Sequence, residues 1–295
     1  MNIDEICTPP EVCGPDADLS KHEHLLAHTT DEDDNRIAQF IKRDKPLLIS
    51  IGVMTVLMNL DKLSYVLYPF KIFATWIHEM SHGVAAILVG GGIRKLLIYP
   101  DTSGLAYTYI SESNFKRGFV ASGGYTGTAV LGMIMLLFRR THRGPTVGLI
   151  TLGVLIILSC ILYVRNTFAL VMLPIMALVI VVCAWKLRAR EVGYLYSFLA
   201  ATCSFNAVAN ISELFKGVGY VNGQQTEGDA HTVAEYWGLT NNFWAAYWLI
   251  FALGCSALGL LFAFDGTVYK KHKKQQKLNE MNTTSTHAED NNLVA

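Results

Sequence analysis

Residues 68–90 read YPFKIFATWIHEMSHGVAAILVG. A stretch of this length and apolar content is enough to cross a bilayer, which takes about 20 residues as a helix. Pro69 suits its first turn, where the missing N–H costs nothing. Yet His78, Glu79 and His82 stand near its middle as H-E-x-x-H. At a rise of 1.5 Å per residue, His78 lies roughly 15 Å along the helix. Ionisable groups at such a depth are costly and mark function by default. Residues i and i+4 share a helix face, so His78 and His82 present two nitrogens to one ion. Glu79 is placed beside them to hold a water. Zinc in hydrolytic sites takes three protein ligands plus water, and it lowers the pKa of that water toward about 7. A purely structural account would have the three polar groups pair with one another or with another helix.

The rest of the chain fits a membrane setting. Of the 295 residues, 52% are hydrophobic and 16% charged, against about 25% charged in an ordinary soluble domain. Mean hydropathy is +0.32. Formal net charge is zero, which removes the electrostatic case for nucleic acid as a partner. Residues 1–45 form a polar tail expected to be disordered, with the acidic run DEDD at 31–34, and residues 265–295 form a second polar tail. The N-terminus has neither the basic start nor the apolar core of a signal peptide. Four of the six cysteines lie in apolar runs, as small hydrophobes.

Besides 68–90, spans are expected at 118–138, 145–164, 167–185 (with Pro174 inside), 193–215 and 243–264. PLLISIGVMTVLMNL at 46–60 is short for a seventh. The fold class is therefore an all-α polytopic membrane protein of six or seven transmembrane helices, embedded over 46–264. LLIYPDTSGLAYTYI (96–110) places β-branched and aromatic residues on both sides of a turn signal and reads as a small β-hairpin. Within the connection 216–241, DAHTVAEYWGL reads as a short helix with Asp229 as its N-cap. Gly123 and Gly127 form G-x-x-x-G, which allows close helix packing. The basic clusters RRTHR (139–143), KLRAR (186–190) and KKHKK (270–274) follow alternate spans. The positive-inside rule places all three, and the C-terminal tail, on the cytoplasmic side.

The run from Phe73 to Gly104, FATWIHEMSHGVAAILVGGGIRKLLIYPDTSG, resembles the membrane zinc metallopeptidases of the site-2 protease group. It is most like a compact branch found in bacteria and fungi. That branch carries F-x-x-x-x-H-E-x-x-H-[AG], a glycine-rich helix end, a P-D-x-x-G hairpin and an A-G-Y-x-G helix, matched here by SGGYTG at 122–127. The segment Gly228-Asp229-Ala230 and the later FWAAYW also resemble it. The resemblance covers about residues 46–264. It implies an intramembrane zinc protease acting on transmembrane protein substrates, with His78 and His82 as ligands and Glu79 as general base. Its members supply a third ligand as aspartate from an N-P-x-x-x-x-D-G setting, which this chain lacks. Asn210 stands where related sequences tend to carry Asp. The acidic candidates are Asp229, whose segment keeps the family pattern, and Glu213, near the end of the 193–215 span. Two rival functions use the same features: a catalytically inactive scaffold or chaperone on this fold, and a metal or solute transporter with the histidines as a transit site.

Overall fold

The structure, a computed structural model, describes residues 67–209 and 218–262, together with the single positions 45, 49 and 215. The 46–60 segment, both polar tails, Asn210 and Glu213 lie outside the described residues. Helix α1 spans Tyr68–Leu88, with Pro69 in its first turn as expected. It stops where Gly90 turns to φ +82°, a left-handed conformation that glycine adopts without strain. The amides of Gly90 and Gly91 then close on the carbonyls of Ile87 and Ala86. The chain continues into an antiparallel hairpin, β1 (Gly92–Ile98) and β2 (Gly104–Tyr109). The hairpin begins a few residues earlier than the sequence suggested, and its register is irregular between Ile93 and Lys95. Helices α2 (Asn114–Phe138), α3 (Gly144–Leu162), α4 (Thr167–Lys186) and α5 (Ala189–Ala209) follow.

The 216–241 connection holds more than the expected helix. A second hairpin, β3 (Val218–Val221) and β4 (Gln224–Glu227), precedes α6 (Asp229–Trp237). Its turn is Asn222-Gly223, at φ +50° and +75°. That dipeptide is the strongest short signal for a two-residue hairpin turn. Helix α7 (Asn241–Leu261) closes the described fold, with Thr240 capping it through the amide of Phe243.

Among the described residues, four helices are long and apolar enough to cross a membrane: α2, α3, α4 and α7. Exposed apolar side chains line the outside of α3 and α4, among them Ile150, Val154, Ile161, Val171, Ile175 and Leu178. A soluble protein does not leave so continuous an apolar wall in water. Helices α1 and α5 are of similar length but turn polar groups inward: Glu79 and His82 on the first, Ser197, Thr202 and Ser204 on the second. This is why their sequences are less apolar. Helix α2 is the hub, packing against α1, α5, α6 and α7.

The first hairpin lies along α1. Tyr68 Oη donates to the Pro100 carbonyl at 2.8 Å, and Thr75 Oγ1 to that of Thr102 at 2.6 Å. The outer edge of β1 is taken by the α3–α4 connection, through Leu96 N–H to the Tyr163 carbonyl and Arg165 N–H to that of Leu96. Asn166 grips both backbone groups of Ile98. Trp76, half a turn before His78, donates to Ser159 near the end of α3. The H-E-x-x-H turn therefore sits at the level where α3 gives way to α4, close to one end of these outer helices.

Candidate metal centre

His78 and His82 sit one turn apart on α1, and their Nε2 atoms are 3.1 Å from each other. Asp229 Oδ2 lies 3.0 Å from His78 Nε2 and 3.3 Å from His82 Nε2. Among the described residues these three form the one group of metal-ligand type. Donors bound at about 2.0–2.1 Å to a tetrahedral zinc stand about 3.3 Å apart, so the triangle has the right size for one ion. The tautomer also fits. His82 Nδ1 is 2.7 Å from the Val120 carbonyl. It must donate there, which leaves the Nε2 lone pair for a metal. His78 Nδ1 is buried without a partner.

What brings Asp229 to this place is the docking of α6. Ala230 and Val233 are buried against Ala121 of α2 and Ala245 and Trp248 of α7. The N-cap of the helix is Gly228, not Asp229. Asp229 is the first helical residue, and its carboxylate turns to the imidazoles in place of capping the helix. Burial works to raise the Asp229 pKa. The neighbouring imidazoles, His82 foremost, outweigh it and hold the carboxyl well below its usual range. A segment between apolar helices can reach the histidines because they lie near the end of the outer helices. Whether Glu213 approaches the site falls outside the described residues.

Glu79 is buried on the same helix. The Ala106 amide of β2 donates to its carboxylate. Glu79, both histidines and Asp229 all line one open cavity of about 960 Å³. Its other walls come from the tip of the first hairpin, from β2, β3 and β4, and from α2 and α6. Tyr125 stands edge-on to His78, with ring centroids 4.7 Å apart, and stacks on Trp248.

Glycines make the approach of α1 and α2 possible. A Cβ on Gly123 would lie 2.7 Å from that of Ala85, and one on Gly127 would lie 2.6 Å from Ser81 Cβ, the close packing foreseen for G-x-x-x-G. Gly124 between them has another part, unforeseen: it faces the two Nε2 atoms themselves. The SGGYTG run held that signal, but only the α1–α2 crossing tells which glycine meets the histidines.

Residues 48–259 match the Peptidase M50B-like family along their whole extent. The chain belongs to that family. Peptidases of the M50 group are zinc metallopeptidases of membranes, so membership and the four apolar helices together make this an integral membrane protein of metallopeptidase type. Comparison with curated proteins and with solved structures returns no match.

Proposed function

We propose that this M50B-like protein is an intramembrane zinc metalloprotease that cleaves membrane-embedded peptide substrates. The observation that carries the proposal is the triangle of His78, His82 and Asp229, with Glu79 on the wall of the same cavity. His78, His82 and Asp229 would hold the zinc. When bound, it supplies Lewis acidity and lowers the pKa of water toward about 7. Glu79 takes a proton from the attacking water. The water oxygen bonds to the scissile carbonyl carbon, the C–N bond breaks, and Glu79 returns the proton to the leaving amine. The carboxylate is held for this by the Ala106 amide, and its burial keeps bulk water away from the proton in transit. An extended substrate backbone has a place to pair, because β1 is covered on its outer edge while Gly104, Leu105, Ala106 and Thr108 of β2 line the cavity.

The test is metal analysis beside cleavage of a reporter transmembrane segment. His78→Ala and His82→Ala are each expected to lose zinc, and Glu79→Gln to keep it while turnover falls at least about 100-fold. Full zinc in both histidine variants removes the site. A Glu79→Gln protein that cleaves at the normal rate removes Glu79 as the base, a wild-type protein that holds zinc and cleaves nothing speaks for a scaffold, and one that moves metal into vesicles speaks for a transporter.

A further inference from the structure

Among the described residues, little holds the β3–β4 hairpin in place. None of its residues is buried, and a lone two-stranded hairpin is marginal in water. Its tip reaches the first hairpin, where the Asn222 amide donates to Ser103 Oγ at 3.0 Å. Ser103 is a fixed partner. Its hydroxyl and its amide both donate to Asp101 Oδ1, at 2.5 and 3.0 Å. A hydroxyl has one proton and two lone pairs, so donation to Asp101 leaves a lone pair to accept from Asn222. The tip that carries Ser103 is tied to α1 through Tyr68 and Thr75. At its other end β4 meets the anchored α6 through a single residue, Gly228. One jaw is thus pinned to α1, the other carries no buried residue along its strands, and both line the cavity that holds Glu79 and the metal-ligand triangle.

We infer that β3–β4 is a flap, latched to the first hairpin by Asn222 and Ser103, and that parting of this latch admits the peptide substrate. The substrate named here rests on the proteolytic reading above. One exposed hydrogen bond between the tips is weak enough to open repeatedly, and elements of low local stability are those that move. Closure after entry would bring Val218 and Val221 over the bound segment and exclude water from it.

A reversible cross-link tests the inference in the full-length protein, with Cys7 and Cys13 replaced by serine. Ser103→Cys with Asn222→Cys is oxidised, the disulfide is verified by mass spectrometry, and one sample is assayed before and after reduction. The oxidised form is expected to cleave a reporter transmembrane segment at least tenfold more slowly than the reduced form, with equal zinc in both. Equal rates, or a disulfide that does not form, overturn the flap. If the reduced sample neither cleaves nor binds zinc, it is the catalytic reading that fails, and hydrogen exchange decides the flap alone. Ser103→Ala should then raise exchange of the 218–227 amides several-fold and leave 230–237 unchanged. Unaltered exchange at 218–227 overturns it.

Discussion

A methyl group at position 124 would press into the His78 ring and come within 2.5 Å of both Nε2 atoms. The donor triangle thus depends on a missing side chain as much as on the three that are present. Gly124→Ala is expected to lower zinc affinity by about tenfold or more, as loss of a metal site's supporting shell does. Equilibrium titration with a competing chelator measures it. Asp229→Ala removes one corner of the triangle and is expected to cost at least about tenfold as well, with Glu213→Ala costing less. The reverse order would assign the third ligand to Glu213. If neither variant loses zinc, the scaffold reading gains.

The elements hold the site by a few long-range hydrogen bonds between apolar surfaces. The hairpin β1–β2 carries the amide that meets Glu79, and its position is set on one side by α1 and on the other by Asn166. Asn166 donates to the Ile98 carbonyl and accepts from the Ile98 amide. Asn166→Ala leaves both groups half-buried and unpaired, at a cost of about 1–3 kcal/mol. A lower midpoint of thermal unfolding is expected, with a fall in turnover larger than the fall in zinc content, because the change reaches Glu79 through β2 and leaves the ligands alone. Equal losses of zinc and turnover would mean that the hairpin supports the whole site.

In the whole molecule, α2 and α4 end at Phe138 and Lys186, while α3 runs back between them to the 163–166 connection. The clusters at 139–143 and 186–190 therefore share one end of the bundle. The first hairpin and the second meet each other, and the first meets the 163–166 connection, toward the other end. Cysteine-accessibility labelling is expected to place 139–143, 186–190 and 270–274 on the cytoplasmic side, with position 165 and the β3–β4 turn opposite. Opposite labelling of the first two clusters would break this arrangement.

Much of this was present in the order of the residues. The 3.6-residue period puts His78 and His82 on one face whatever surrounds them, so half of the candidate metal centre follows from local geometry. Helices α2, α3, α4 and α7 follow from unbroken apolar runs, and the first hairpin from PDTSG between β-branched residues. The second hairpin was equally local, written in Asn222-Gly223, but hidden by the polar strand QQTE that follows the turn. Asp229 is different. A lone aspartate ahead of a short helix has the same sequence signature whether it caps that helix or turns to a metal. Only the burial of Ala230 and Val233 against α2 and α7 carries its carboxylate to His78, 151 residues away in sequence. Gly124 and the Val120 carbonyl likewise gain their parts from the crossing of two helices, because packing between distant segments is a property of the folded surfaces and not of any one stretch of chain.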